Sequence, residues 1–224
     1  MLNFIGLIFF GALVWPSDSV IVKSRTFTNY GEWYDMEYCP DGMYAMGVNA
    51  KYDKDTVDIT YLNGVAFYCE PLNSLSYTHK HRITSGVGPF GEWGHFDSMQ
   101  YCPQDKAIVG FYLYTGTHTI ADDTGAIHFI ALCGYPFSSR DPSDWKLEDK
   151  VISDLPIYKY FCPEGYAING IQTQVESAQG MGDDTGLNNI NVNCQEIILS
   201  CTHEFISLFD YSNSGGLMNE RRTI

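Results

Sequence analysis

Hydrophobic and polar residues alternate along three segments that each end at a cysteine. The apolar series are Val65, Phe67 and Cys69, then Phe129, Ala131 and Cys133, then Ile190, Val192 and Cys194. In the third segment the intervening residues are Asn189, Asn191 and Asn193. A period of two puts successive side chains on opposite faces of a β-strand, whereas a helix would scatter both sets around its axis. We therefore predict three strands with an apolar face toward the core and the other face outward.

Further strand and turn signals lie between these segments. Residues 20–30 alternate enough to form an opening strand, and Ala45–Tyr52 and Ala107–Tyr114 are predicted strands that each contain a glycine. Turn-forming pairs and glycine-rich stretches separate the segments, and aromatic residues make up 15% of the chain. This pattern favours an all-β fold of short antiparallel strands. The exception is Asp144–Ile152, where Asp144 could cap a short helix.

One unit of about 60 residues occurs three times along the chain. In each copy Cys-Pro is followed by a glycine eight residues after the cysteine, and a threonine stands nine residues before a second cysteine. A unit of this size could not easily bury a core of its own, so we predict one domain at residues 20–209 and a flexible tail at 210–224. The three repeats span about 31–76, 86–138 and 140–201.

The chain contains seven cysteines. In an oxidising compartment six of them can form three disulfides, for which several connectivities are open. The repeat makes pairing within each unit the economical choice, so that each bond ties the beginning of a sheet to its end: Cys39 with Cys69, Cys102 with Cys133, and Cys162 with Cys194. Cys201 is left over, either as a free thiol or as a bridge to another molecule.

The first residues are typical of a secretory leader. Met1 precedes fourteen uncharged residues, and Pro16 follows them. This length suits the apolar region of a signal peptide and is short of the roughly 20 residues of a membrane-spanning helix. We predict a signal peptide at residues 1–19 and a secreted, extracellular chain with no membrane insertion after cleavage. A buried first strand and a membrane anchor are the alternatives.

The formal charge of −14 limits the classes of partner. A chain with this negative charge is repelled by phosphate backbones and by anionic membrane surfaces. We therefore expect no nucleic-acid partner. No phosphate loop or dinucleotide fingerprint is present, and the six histidines show no metal-ligand spacing with the cysteines. We therefore expect neither a cofactor nor a metal site.

Three features together resemble the vitelline membrane outer layer protein family. They are the Gly-Glu-Trp pairs at residues 31–33 and 91–93, the Cys-Pro sequences with their strand glycines, and GDDTGLNNI at Gly182–Ile190. The resemblance implies a β-prism, in which three antiparallel Greek-key sheets surround a pseudo-threefold axis. It also implies a secreted protein of egg coats or other extracellular layers, with an affinity for oligosaccharides. The chain departs from the family pattern at Ile59 and at Gly125–His128.

Acidic residues before the last strand of each repeat are the first candidate site. Each repeat has an Asp two residues before the threonine, and we expect these residues to form structural turns: Asp58 with Thr60, Asp122 with Thr124, and Asp183 with Thr185. The second acids, Asp123 and Asp184, are absent from the first repeat, so a turn does not require them. Together with Glu176 they are candidate glycan-binding residues. Calcium binding by the acid pairs is an alternative, although no spaced loop of oxygen ligands surrounds them.

Tryptophan is the second candidate. Trp33, Trp93 and Trp145 stand one per repeat. Exposed indoles would stack on sugar rings and add to a glycan site, whereas a Trp at one repeated position would more often fill the core. A glycosidase needs two carboxylates in different environments at a defined separation, and neighbouring turn residues do not supply that arrangement.

These observations lead to three hypotheses of function. The first is a secreted, disulfide-bonded structural or binding component of an extracellular layer such as an egg coat, whose partners are coat proteins or oligosaccharides. The second is a lectin-like module that binds N-acetylglucosamine-type oligosaccharides. The third is a carbohydrate-active enzyme, which we rank below the other two, and we name no catalytic residue.

Overall fold

The computed structural model describes residues 18–26, 28–53, 60–74, 76–78, 80–85, 93–116, 125–136, 155–177 and 185–198. All regular structure in these residues is β. The strands are β1 Ser19–Lys23, β2 Glu32–Trp33, β3 Glu37–Tyr38, β4 Met43–Asp53, β5 Tyr61–Pro71, β6 His81–Ile83, β7 His95–Phe96, β8 Gln100–Tyr101, β9 Ala107–Thr115, β10 Ala126–Gly134, β11 Ile157–Phe161, β12 Tyr166–Val175 and β13 Leu187–Glu196. The described ranges contain no helix long and apolar enough to cross a membrane. The helix predicted at Asp144–Ile152 lies outside these ranges.

The strands form three antiparallel sheets, each built on the long hairpin of one repeat. In sheet I the order is β6-β5-β4-β7, with β8 also on β4. In sheet II it is β10-β9-β11, and in sheet III it is β1-β13-β12-β2, with β3 also on β12. All the pairings are antiparallel. The predicted all-β fold is confirmed.

The edge strands are exchanged between repeats. The segment before Cys102 forms β7 and β8, which pair with β4 of the first repeat. The segment before Cys162 forms β11 on β9 of the second repeat. The segment before Cys39 forms β2 and β3, which pair with β12 of the third repeat. A repeat therefore does not coincide with a sheet, and the exchange closes the three sheets into a ring.

The disulfides follow this exchange. The backbone N–H of Cys39 donates to the Asn169 carbonyl of β12 at 2.7 Å, so Cys39 extends the edge of sheet III. Its disulfide partner, Cys69, lies in β5 of sheet I. The other two bonds are placed in the same way: Cys102 donates to Met46 of sheet I and pairs with Cys133 of sheet II, and Cys162 donates to Val109 of sheet II and pairs with Cys194 of sheet III. Each bond joins two neighbouring sheets, so the expectation that each bond ties one sheet's beginning to its end is wrong, although the pairing is within each repeat.

The glycine eight residues after each first cysteine is covered by an aromatic residue of the next repeat. A Cβ on Gly47 would lie 2.6 Å from Tyr101 Cε1, and one on Gly110 would lie 2.8 Å from Phe161 Cδ1. At Gly170 the corresponding distance to Tyr38 Cδ1 is 3.0 Å. Real Cβ atoms essentially never lie within 3.0 Å of a neighbour, so at Gly47 and Gly110 the edge strand can pack only where the inner strand has no side chain, and at Gly170 the fit is tight. The aromatic residue that precedes each Cys-Pro is therefore the partner of this glycine.

The inner faces of the sheets form one core. Ile190, Val192 and Cys194 are at most 1% exposed and belong to it, as the alternating pattern predicted. A second buried cluster is asymmetric, because Tyr44 packs in it with Ala107 and Ala167, which stand at equivalent strand positions. One large and two small side chains at these positions keep the near-threefold packing from becoming too tight.

The first strand is shorter than predicted. Residues 20–30 were expected to form it, and the structure pairs Ser19–Lys23 with β13, with Ser19 opposite Gln195. The carbonyl of Asp18 also accepts the Glu196 N–H at 3.0 Å. The sheet therefore includes two residues on the amino-terminal side of the predicted leader boundary.

Candidate functional site

Several of the predicted site residues lie outside the described ranges. They are Asp58, Asp122, Asp123, Thr124, Asp183, Asp184, Trp145 and Cys201. Residues 1–17 of the predicted leader and the tail at 210–224 also lie outside. The structure places Glu176, Thr60, Thr185, Trp33 and Trp93. Within the described part of the chain, no three or more His, Cys, Asp or Glu side chains come together as metal ligands would.

Glu176 is bound to the hairpin turn of the third repeat. Its Oε2 accepts the Thr185 backbone N–H at 3.0 Å and the Thr185 hydroxyl at 2.8 Å. The Asn188 amide donates in turn to Thr185 Oγ1 at 2.6 Å. Glu176 is 9% exposed, and Thr185 is 1% exposed. This carboxylate therefore ties the residue after β12 to Thr185, just before β13, and Oε2 has little left to offer a sugar.

The first repeat contains a related turn. The Asn63 amide donates to Thr60 Oγ1 at 2.8 Å and to the Tyr61 carbonyl at 3.2 Å. A Cβ on Gly186 would lie 2.5 Å from Asn63 Oδ1, so the turns of the first and third repeats meet at one end of the prism. Asn63 and Asn188 were not among the predicted site residues, although both stand three residues after the threonine. The second repeat has Ile127 at this position, so this amide is not needed by every turn.

The tryptophans are not equivalent to one another. Trp33 stands six residues before Cys39 and pairs with Gln174 of β12. The residue at the same distance before Cys102 is Phe96, which pairs with the equivalent strand β4. Trp33 is 42% exposed, so the interpretation of the tryptophans as a repeated core residue is wrong for Trp33. Trp93 lies outside the strands and is half-buried.

The outer face of sheet III carries two neighbouring columns of amides. The Asn189 amide donates to Gln174 Oε1 at 2.7 Å, Asn191 to Gln172 at 3.0 Å, and Asn193 to Asn169 at 2.7 Å. The pattern correctly predicted that the three asparagines lie opposite the core face. It also suggested an open surface, whereas Asn191 and Asn193 are only 7% and 5% exposed and Asn189 is fully buried. The equivalent positions of sheet II hold aromatic and aliphatic residues such as Tyr112, Ile130 and Leu132, so the fold itself does not require amides here.

Several tyrosines sit in environments that oppose ionisation. Burial raises the pKa of Tyr101, and the nearby Glu70 carboxylate adds to the effect. Tyr77 stacks on Tyr101 with ring centroids 4.1 Å apart, donates its hydroxyl to the Cys102 carbonyl at 2.7 Å, and also has a pKa raised by burial. These phenols are neutral hydrogen-bonding groups at ordinary pH and act as structural parts of sheet I.

Comparison with known proteins agrees with this architecture. The family model described as vitelline membrane outer layer protein I matches residues 20–197. The vitelline membrane outer layer protein 1 homolog of Mus musculus is 29% identical over 184 residues, which cover 80% of this chain and 85% of the mouse protein. The Homo sapiens homolog of the same name is 29% identical over 181 residues, covering 79% of this chain and 83% of the human protein.

Among solved structures, the chain is similar to Calystegia sepium agglutinin. The TM-score is 0.50 at 13% identity, covering 81% of this chain and 98% of the agglutinin. At this identity the likeness shows the fold alone. The predicted β-prism of three antiparallel sheets is confirmed.

Proposed function

The chain belongs to the vitelline membrane outer layer protein I family, and we propose that it is a secreted building component of an extracellular layer such as an egg coat. The names of the mouse and human relatives support a place in such a layer. The apolar leader predicted at residues 1–19 supports export from the cell.

The observation that carries this proposal is the closed ring of inter-sheet disulfides. The bonds Cys39–Cys69, Cys102–Cys133 and Cys162–Cys194 join each sheet to the next, so no sheet can separate without breaking a covalent bond. Disulfides form and persist outside the cytosol, and they limit the unfolding that exposes a chain to proteases. Such a molecule is suited to long residence in a layer where it cannot be replaced.

Localisation and extraction test this proposal. An antibody against the protein should label an extracellular layer, and the protein should remain in the insoluble fraction after washing with dilute salt. It should enter the soluble fraction when the layer is treated with denaturant. Recovery of the protein from the cytosol, with the six disulfide-forming cysteines reduced, would overturn the proposal.

A second candidate function is lectin-like binding of N-acetylglucosamine-type oligosaccharides. The exposed indole of Trp33 favours it, because a sugar ring can stack on the open face of an aromatic side chain. Asp123, Asp184 and the tryptophans remain the proposed contacts for such a ligand, whereas the Glu176 carboxylate is bound to Thr185. Retention of the purified protein on chitin, and its release by soluble N-acetylglucosamine oligomers, would support this function. Passage through the column without retention would reject it and leave the layer role to its own test.

A further inference from the structure

Exposed aromatic side chains are concentrated in one short segment at the edge of sheet III. The described ranges expose eleven large hydrophobic side chains, and four of them lie in residues 30–38. These are Tyr30, Trp33, Tyr34 and Tyr38, which are 38%, 42%, 36% and 54% exposed. We call residues 30–38 the aromatic strip. Single exposed apolar residues are ordinary, but four exposed aromatic side chains within nine residues are a candidate interaction surface.

The aromatic strip is also acidic. Glu32, Asp35 and Glu37 are exposed between the rings, and the strip contains no lysine or arginine. Glu37 Oε2 accepts the Thr84 backbone N–H at 2.8 Å. Across the described part of the chain, no cation is paired with the Glu32 or Asp35 carboxylate. With a formal charge of −14 on the whole chain, this edge repels anionic partners and attracts cationic ones.

In sheet I, the residue equivalent to Trp33 is covered by a cation. Phe96 stands at the position of Trp33, six residues before the first cysteine of its repeat, and pairs with the equivalent inner strand. The guanidinium carbon of Arg82 lies 4.5 Å from the centroid of the Phe96 ring. A cation over a ring face is a favourable contact, and indole is the best of the aromatic acceptors. No cation from the described residues lies over Trp33.

The strands at this edge can form their pairings without the carboxylates of the strip. Counting back from the first cysteine of each repeat, Glu32, Asp35 and Glu37 correspond to His95, Ser98 and Gln100 in the second repeat. The second repeat forms the same pairings on β4 with these uncharged or weakly basic side chains. Among the described residues, an exposed indole beside carboxylates with no paired cation is therefore found at the edge of sheet III and not at the equivalent edge of sheet I.

We propose that the aromatic strip docks an arginine-rich segment of a partner protein. Guanidinium groups stack on Trp33, Tyr34 and Tyr38 and pair with the carboxylates of Glu32 and Asp35, as Arg82 stacks on Phe96 within the chain. Arginine fits better than lysine, because its planar group can stack on a ring and form two parallel hydrogen bonds to a carboxylate. This inference goes beyond the proposed layer role and does not depend on where the protein resides.

The experiment is a titration of the purified, oxidised full-length protein with a synthetic peptide of alternating arginine and glycine. Isothermal calorimetry gives the affinity, and the indole emission reports contact at the ring. A peptide with citrulline in place of arginine, which keeps the shape and loses the charge, should bind at least about tenfold more weakly. Trp33→Ala should weaken binding of the arginine peptide about tenfold. Trp33→Phe, which restores the residue type found at position 96, should retain most of the affinity.

Matched charge variants separate this docking site from general attraction to an acidic protein. Glu32→Gln/Asp35→Asn removes two carboxylates from the strip, and Asp41→Asn/Glu164→Gln removes two exposed carboxylates elsewhere. The first pair should weaken binding about tenfold and the second pair less than about twofold. Thermal melts exclude variants that fail to fold. Equal losses from the two pairs, equal affinity for the citrulline peptide, or no effect of Trp33→Ala would each overturn the proposal, and none of these results bears on the layer localisation.

Discussion

Removal of one disulfide should weaken the whole prism by the same amount, whichever bond is chosen. The cysteines of the three bonds are separated by 30, 31 and 32 residues. In the chain-entropy model, closing loops of these lengths stabilises the folded state by about 3.6 to 3.7 kcal/mol each at 25 °C. The three double variants, Cys39→Ala/Cys69→Ala and its two counterparts, should therefore agree within about 0.1 kcal/mol in this contribution.

The ring arrangement adds a second expectation to this prediction. Because each bond joins two sheets, its loss should loosen a junction shared by two repeats, and unfolding should remain a single transition. A loss of about 3.6 kcal/mol should lower the melting temperature by about 7 to 15 °C for a chain of this size.

The assays are urea and thermal unfolding of the oxidised variants, followed by tryptophan fluorescence and far-ultraviolet circular dichroism. Coincident transitions from both probes would support one cooperative unit. Early melting of one repeat alone, or a loss below about 1 kcal/mol, would refute the reasoning. The wild type without reductant, carried through the same scans, is the control.

Further predictions concern packing, the turn of the third repeat, the phenols and the remaining cysteine. Gly110→Ala should lower the free energy of urea unfolding by about 1–3 kcal/mol, and by more than Gly47→Ala does. The new Cβ would lie 2.5 Å from the Tyr160 backbone carbonyl, whereas a Cβ on Gly47 would meet side-chain atoms of Tyr101, which can shift more readily than backbone; equal losses would contradict this. Glu176→Ala should cost about 1–3 kcal/mol by leaving the buried Thr185 N–H unpaired, and Thr185→Val, which keeps that N–H bond, should cost less. Burial raises the pKa of Tyr44, Tyr77 and Tyr101 above the ordinary 10.0. The stability that these neutral phenols contribute should therefore be complete below about pH 10 and should be lost as the pH rises further. Complete ionisation of the tyrosines at pH 10, seen as phenolate absorbance without unfolding, would refute this. Thiol titration of the denatured, unreduced protein should detect one thiol, from Cys201, and a result of zero would indicate a bridge to another molecule.

Local patterns predicted the hairpins well. The alternation that ends at Cys194 placed Ile190 and Val192 in the core, and the common spacing of Cys-Pro and glycine revealed three similar units. Both signals depend on neighbouring residues and on the period of two of a strand, so they can be seen without the fold.

The exchange of edge strands could not be predicted in this way. The pairing of Tyr38 with Gly170 joins residues that are far apart in the chain, and the repeat is equally compatible with sheets that contain one repeat each. The same limitation explains why Trp33 was expected in the core. The shared Gly-Glu-Trp sequence aligns Trp33 with Trp93, whereas the distance to the following cysteine aligns Trp33 with Phe96. The burial of Asn189 is also invisible to the pattern, because the Thr28 carbonyl that accepts its amide at 2.8 Å comes from the amino-terminal segment.

The pairing of β1, β2 and β3 with the last hairpin has a consequence for biosynthesis. These strands leave the ribosome before their partners β12 and β13, which are more than 125 residues later in the chain, so the segment that forms them must wait for its sheet while those residues are translated. Contacts this distant in sequence slow folding, since a long loop must close before they form. A nascent chain that lacks residues 166–196 has no partner strands for β1, β2 and β3, so we expect closure of the ring to wait for the third hairpin.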